Sequence, residues 1–296
     1  MARGSGGESA LSRHLRVMDA FDATHAFRNL TELSASTGLP ISTVHRLVGE
    51  LTAEGLLERM PDRSYRLGIR LWEYASRTPG ALGLREVARP WLAAVHDRVR
   101  QHAQLGVLSG QDVLFIERMS APDAVINATL IGGRMPLFAS SSGLVLLAFS
   151  SPSLLDGVVV RGIRPLAPHG LKTVEQLRER VRQVRADGFA VTEGFIHPDS
   201  RGIAVPVKGP RGPYASMSVV VPNDGSNVMP YVEILQWAAI RTMRGLEEMH
   251  LPSHPGDERA RHAPLYAGVS RKSLEYFEGL AVGAVSERPV DVVAPG

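Results

Sequence analysis

The chain of 296 residues is about twice the length of an average domain, so two domains are expected. Its composition, 44% hydrophobic and 21% charged, excludes a wholly disordered chain. The lack of cysteine excludes a disulfide scaffold, a Cys-based zinc or iron–sulfur site and a thiol nucleophile. A net charge of +3 is too small to argue for nucleic-acid binding by itself. No apolar run approaches the ~20 residues of a membrane helix. The opening Met1-Ala2-Arg3-Gly4-Ser5-Gly6-Gly7 lacks the apolar core of a signal peptide, so a cytoplasmic protein is expected.

Residues 1–8 are Gly/Ser-rich and read as flexible. From Ser9 the pattern is helical, with Leu11, Leu15, Met18 and Phe21 placed on one inward face. A short helix fits 31–37 with Leu33 inward. Gly38-Leu39-Pro40 stops it, and a longer helix over 41–54 carries Val44, Leu47, Val48 and Leu51 as its apolar stripe. Two short strands, 56–59 and 65–67, flank the turn Met60-Pro61-Asp62-Arg63-Ser64. A helical turn at 70–76 ends at Thr78-Pro79-Gly80. A connecting helix over 84–101 points Val87, Trp91, Val95 and Val99 inward.

Residues 103–222 read as α+β. Strands are predicted at 103–108, 113–118, 125–131, 189–192, 202–207 and 215–221, and helices at 142–149 and 173–187. Tight turns such as Ser109-Gly110-Gln111-Asp112 favour an antiparallel sheet over a doubly wound one. A last helix over 231–249 carries Ile234, Leu235, Ala238 and Met243. Beyond Pro252 the chain turns Pro-, His- and Arg-rich, with one more helix expected at 270–280 and the rest of 253–296 loosely held.

The short helix, Gly turn and longer helix make a helix-turn-helix, whose second helix enters a major groove. Burying its apolar stripe leaves Ser42, Thr43, His45 and Arg46 outward, with groups suited to base edges and phosphates. The hairpin adds Arg59, Arg63 and Arg66, opposed by Glu58 and Asp62, as a wing along the sugar-phosphate backbone. Taken singly, each of these residues is equally at home on a solvated face, and the same shape also serves protein contacts.

The segments Thr31-Glu32-Leu33-Ser34, Gly38-Leu39-Pro40-Ile41-Ser42-Thr43-Val44-His45-Arg46-Leu47 and Tyr65-Arg66-Leu67-Gly68 resemble the winged helix-turn-helix of the IclR family of bacterial transcriptional regulators. Arg85-Glu86-Val87-Ala88-Arg89-Pro90 resembles the start of that family's linker helix. Gly133-Arg134-Met135-Pro136-Leu137, Ala139-Ser140-Ser141-Ser142-Gly143 and Gly202-Ile203-Ala204-Val205-Pro206-Val207 resemble its effector-binding domain. The likeness covers about residues 10–250. It implies an α+β protein: an N-terminal winged helix-turn-helix over 9–69, linker helices over 70–102, and over 103–252 a C-terminal GAF-like antiparallel sheet flanked by helices, with the tail 253–296 outside it. It further implies a double-stranded, roughly palindromic DNA operator, a small-molecule effector, a homodimer or dimer of dimers, no catalysis, no cofactor, no metal and no membrane. Repression is expected rather than activation.

By the same resemblance the effector pocket takes Ser141 and Ser142 from the loop before a short helix, and Asn127 from the strand before it. Thr192, Phe195 and Gly202 come from the stretch 188–202, and Ser218 and Val220 from the late strand. The residues themselves agree in part. A helix that begins at Ser140-Ser141-Ser142 offers free backbone N–H groups and hydroxyls to an anion, although serines at a helix start also serve simply as caps. The sequence departs from the family where members often have an acidic pair (Gly194 and Phe195 here), a cysteine (Gly202) and a small polar residue (Val220). These changes point to an apolar pocket and an aromatic or branched organic acid.

Other chemistries fare worse. His250 and His254 have helical metal-ligand spacing, but Pro252 lies between them, and His96 and His102 do not share a face. There is no phosphate-binding loop and no nucleophile elbow. His197, Asp199 and Ser200 are sequence neighbours around Pro198 rather than a triad. Two alternatives remain: a sensor whose winged helix serves protein contact, and an enzyme with an attached DNA-binding domain.

Overall fold

Spacing of apolar residues builds the first unit. The computed structural model describes residues 8–22, 24–76, 81–209 and 212–250; the expected flexible start up to residue 7, the break at 78–80 and the tail from 251 lie outside them. Helix α1 spans Ala10–Asp19, and the Ser9 hydroxyl accepts the Ser12 N–H at 3.0 Å as its cap. Helix α2 (Leu30–Thr37) starts with a capping box between Asn29 and Glu32. It ends at Gly38, whose φ of 68° suits a residue without Cβ. Helix α3 (Ile41–Ala53) buries Val44, Leu47, Val48 and Leu51, as predicted. Strands β1 (Leu57–Arg59) and β2 (Tyr65–Leu67) pair antiparallel. The stripe expected on α1 is half right: Phe21 is buried and Met18 packs against the core, but Leu11 and Leu15 are not covered. Val17 and Phe21 join Leu33, Leu57, Tyr65 and the α3 stripe in the core, while Leu11 and Leu15 are 68% and 46% exposed. Only the last turn of α1 and the residues after it reach that core.

Helix α4 spans Arg70–Ser76, and the long helix α5 spans Ala81–Val99. The buried set of α5 is Leu84, Ala88, Leu92 and Val95; Val87, Trp91 and Val99 sit at its margin. A six-stranded antiparallel sheet follows in the order β5-β4-β3-β8-β7-β6. Its strands are β3 (His102–Ser109), β4 (Asp112–Met119), β5 (Arg134–Pro136), β6 (Ala190–Glu193), β7 (Ser200–Gly209) and β8 (Gly212–Pro222). Helices α6 (Ser141–Phe149), α7 (Pro152–Arg161) and α8 (Val174–Asp187) lie between β5 and β6, and α9 (Met229–His250) closes the described chain. Neither β5 nor α7 is among the predicted elements. The strand predicted at 125–131 does not form: 125–131 is irregular and pairs with no strand.

Strand alternation divides the sheet's faces. Ala103 and Leu105 of β3, Ile203, Val205 and Val207 of β7, and Met217, Val219 and Val221 of β8 pack against α5 and α9. The opposite face carries His102, Gln104 and Gly106 of β3, Gly202 and Ala204 of β7, and Ser216, Ser218 and Val220 of β8, with α6 laid across it. Helix α6 is buried along nearly its whole length and packs onto the turn Leu137–Ala139. That contact requires Gly143: a Cβ there would sit 2.2 Å from the Leu137 carbonyl oxygen. Gly143→Ala should therefore lower stability by about 1–3 kcal/mol or more. Gly49→Ala on the open face of α3, with no atom within 4 Å of the new Cβ, should raise it by about 0.5–1 kcal/mol. Denaturant titration of the two variants checks the opposite signs.

Candidate functional site

Two surfaces carry chemistry. On the first unit, Ser42, His45 and Arg46 are exposed and Thr43 half-buried on the leading turns of α3. The cap residue of α3 is Pro40, which offers no side-chain acceptor, so the first N–H groups of this helix are uncapped by any side chain. Arg46 donates to Glu50 Oε1 at 2.5 Å, one turn along, and Glu50 Oε2 lies 2.6 Å from His14 Nε2 on α1. The His14 hydrogen bond, followed by that of Arg46, holds the Glu50 carboxyl below the usual carboxylate range. In the hairpin, Arg66 pairs with Glu58 at 2.8 Å. Arg59 and Arg63 are exposed without a carboxylate partner among the described residues, Arg63 at the turn with φ 66°. The seven residues marked by the sequence thus lie on α3 and the hairpin, two held by neighbouring acids and five with no acidic partner among the described residues.

On the second unit, a cavity of about 40 Å³ lies between the start of α6 and the sheet. Asn127, Ser141, Ser142, Thr192, Phe195, Gly202 and Val220 line it, and Ser218 lies just behind, accepting from the Ser142 hydroxyl at 2.9 Å. The sequence reading thus converges on one cavity. Its account of Asn127 is corrected: this residue sits on the irregular segment, not on a strand. Ser140 turns out to be the cap of α6, its hydroxyl accepting the Gly143 N–H at 3.1 Å. That leaves the N–H groups of Ser141 and Ser142, which no intrahelical bond uses, beside the cavity. Gly202 keeps the floor open there: a Cβ would come within 2.8 Å of Ser141 Oγ and 2.9 Å of Thr192 Oγ1. Phe115, Met135, Phe195 and Val220 supply apolar wall, and among the described residues no charged side chain lines the space.

The sequence reading missed Gln104, Phe115, Thr129 and Met135. Gln104 is the informative omission. It is a buried polar residue in the otherwise apolar run Ala103-Gln104-Leu105-Gly106-Val107, and such a residue needs partners. Its carbonyl oxygen accepts from the Thr129 hydroxyl, and Asn127 lies 3.4 Å away. The segment 120–131 is pinned by side chains rather than by a ladder. Gln101 accepts the Val125 N–H at 2.9 Å, His102 Nε2 donates to the Val125 carbonyl at 2.5 Å, and Arg118 donates to the Thr129 carbonyl. Because the carbonyl can only accept, His102 carries its proton on Nε2, and Nδ1 faces the Ser120 hydroxyl at 2.8 Å. Burial pushes the His102 pKa down from its usual value and the Arg118 charge adds to this, against the opposing pull of the Val125 carbonyl.

The arrangement of His197, Asp199 and Ser200 is not catalytic. The Ser200 hydroxyl donates to the His197 carbonyl at 3.1 Å, not to its ring, and Asp199 stands 3.9 Å from Nδ1. Among the described residues no helix is long and apolar enough to cross a membrane.

Known proteins share both units. The model of the IclR helix-turn-helix domain matches residues 10–61, and that of the bacterial transcriptional regulator IclR C-terminal domain matches residues 78–238. The chain belongs to the IclR family. Among relatives, HTH-type transcriptional regulator XynR of Escherichia coli (strain K12) is 30% identical over 201 residues, covering 67% of this chain and 79% of that one. The Pca regulon regulatory protein of Pseudomonas putida is 28% identical over 207 residues, covering 67% and 69%. An IclR homologue from Microbacterium hydrocarbonoxydans, solved in complex with 4-hydroxybenzoate, superposes with a TM-score of 0.76 at 38% identity, covering 81% of this chain and 100% of that one. Members of this family with such names are transcriptional regulators, not enzymes. An IclR helix-turn-helix implies DNA binding, and an IclR C-terminal domain implies a small-molecule effector.

If α3 of this IclR-family chain enters a groove, Arg46→Ala should weaken operator binding by about 1–3 kcal/mol. Glu50→Gln should tighten binding about 2- to 5-fold, because it removes an acid that competes with DNA for Arg46. Fluorescence anisotropy on labelled duplexes measures both; unchanged affinity in the two variants would take Arg46 out of the interface.

Proposed function

We propose that the chain is an effector-responsive repressor. In this reading a homodimer holds a roughly palindromic operator through α3 and the hairpin, and a small aromatic acid in the α6 cavity changes that grip. The observation that carries the effector half is the pairing, in one cavity, of an uncharged anion cradle with apolar walls. The Ser141 and Ser142 N–H groups and the Ser141 hydroxyl take the carboxylate; Phe115, Met135, Phe195 and Val220 take the ring. The Microbacterium homologue with 4-hydroxybenzoate supports this choice of acid.

For the DNA half, Ser42, Thr43, His45 and Arg46 face base edges and Arg59, Arg63 and Arg66 the phosphates. One winged helix reads only a short half-site, and symmetry doubles the information. The stranded apolar pair Leu11 and Leu15 on α1 supports a second copy of the chain as the neighbour that covers it. Such a regulator works in the cytoplasm, where the DNA is.

A cavity of about 40 Å³ is smaller than an aromatic acid, so in this reading a wall moves as the acid enters, and 120–131, which pairs with no strand, is that wall. Its anchor Arg118 is next in sequence to Glu117, and the two side chains leave opposite faces of β4. Glu117, buried under α5, pairs with Arg85 at 3.0 Å and lies 3.7 Å from Arg89. Displacing the segment thus pulls at the residue beside the one that fixes α5, and α5 follows the winged unit and α4 in the chain.

Fragmented genomic DNA retained by the protein identifies the operator, and anisotropy with and without aromatic acids tests the response. Replacing Ser141 and Ser142 together by Leu should abolish effector binding in calorimetry and leave effector-free operator binding intact. An undiminished binding heat would move the effector site elsewhere. Glu117→Gln should keep both binding activities but shrink the effector-induced change in operator affinity, which is typically about 5- to 150-fold for such couplings. An unaltered ratio would remove the Glu117–Arg118 connection from the mechanism.

A further inference from the structure

We propose that the C-terminal segment 270–280 folds back as a helix antiparallel to α9 and covers the exposed aromatic seam between α5 and α9. This contact uses no residue of the cavity or of the DNA-facing surface.

The seam is the first support. On α9, Trp237 and Ile240 are 41% and 47% exposed. The Trp237 ring meets that of Trp91, on α5, edge to face with 5.4 Å between centroids. The Arg241 guanidinium lies 5.7 Å from the Trp91 centroid and 5.9 Å from that of Trp237. Arg241 and Arg244 are exposed and have no carboxylate partner among the described residues. Large apolar side chains beside two such cations suit an amphipathic partner with acids along its edge.

The second support is the order of charges in the chain's own tail. Residues 251–296 lie outside the described residues and beyond the matched family domains, which end at residues 61 and 238. In Ser270-Arg271-Lys272-Ser273-Leu274-Glu275-Tyr276-Phe277-Glu278-Gly279-Leu280, helical spacing puts Leu274, Phe277 and Leu280 on one side. Arg271, Glu275 and Glu278 form a row along its edge, at i, i+4 and i+7. Read backwards from its end, α9 offers Glu248, Arg244 and Arg241, again at steps of four and then three residues. Laid antiparallel, each residue meets its opposite charge: Arg271 faces Glu248, Glu275 faces Arg244 and Glu278 faces Arg241. Laid parallel, the same rows set Arg271 on Arg241 and Glu278 on Glu248.

The connection suits the antiparallel arrangement. In that register residue 269 stands beside the end of α9, so 251–269 bridges only the spacing of two packed helices, about 8–10 Å. A coil of that length spans about 22–26 Å on average, so the reversal is within easy reach. Held there, Phe277 and Leu280 cover Trp237 and Ile240, and the added helix ties α5 to α9 across their seam.

The chain has no cysteine, so an introduced pair reports only on itself. In the full chain under mild oxidation, Ile240→Cys should form an intramolecular disulfide about 10-fold faster with Phe277→Cys or Leu280→Cys than with Gly279→Cys. Residue 279 lies between the other two in sequence but on the opposite side of the helix. Arg241→Glu should slow the 240–277 disulfide about 3- to 10-fold, and adding Glu278→Arg should restore it. Ile240 and Arg241 are exposed, so these variants leave the core untouched. Equal rates at 277, 279 and 280 overturn the docked helix. So does a crosslink found only between chains on non-reducing electrophoresis, which marks the seam as a contact with a second copy. A rate that Arg241→Glu leaves unchanged overturns the antiparallel charge register.

Discussion

The position of everything in the sensor domain depends on one close approach, that of α6 to the Leu137–Ala139 turn through Gly143. With a Cβ position only 2.2 Å from a backbone oxygen, no other residue fits without moving the helix or the turn. Helix α6 has no polar face to present to water; Ser141 through Ala148 are all buried. Its polarity is concentrated at its first residues, and those residues are held over Gly202, Thr192 and Ser218. The same contact that packs the helix therefore aims its unused N–H groups at the cavity. Ser140 takes the capping duty, which frees Ser141 and Ser142 from it.

The sheet beneath α6 is buried on both faces, and the two faces do different work. One faces the cavity at alternate positions of β3, β7 and β8. The other is a continuous apolar layer under α5 and α9. Directional contacts come from side chains that grip specific partners. Glu117 and Arg118 are such a pair, adjacent in sequence, one held to Arg85 of α5 and the other to Thr129.

Much of this was legible in the sequence, for identifiable reasons. The α3 stripe of Val44, Leu47, Val48 and Leu51 is regular and bounded by Pro40 and Gly55, so the faces of that helix follow from periodicity alone. Helix α1 shows the limit. Leu11, Leu15, Met18 and Phe21 have the spacing of a buried stripe, but spacing does not say how far the covering surface extends: Phe21 and Met18 reach the core with Val17, while Leu11 and Leu15 do not. The run 125–131 alternates like a strand: Asn127 and Thr129 face the cavity residues, and Ile126 is exposed. What prevents pairing is tertiary, namely Gln101, His102, Gln104 and Arg118 taking its backbone and side-chain groups. Strand β5 has three residues, too few for any period to show. Gln104 was readable only as an anomaly, a polar residue in an apolar strand, and its partners Thr129 and Asn127 emerge only once the segment 120–131 is placed against β3.

The small size of the cavity then has a physical meaning. A site already shaped for an aromatic acid would gain the full affinity of its contacts but would have no second arrangement for the ligand to favour. Here the segment 120–131 lines the space, and its groups bond to one another and to Gln101, His102, Gln104 and Arg118. Under the proposed function, a ligand that displaces this segment exchanges those bonds for its own. The segment is anchored by Arg118, next in sequence to Glu117, which pairs with Arg85 of α5.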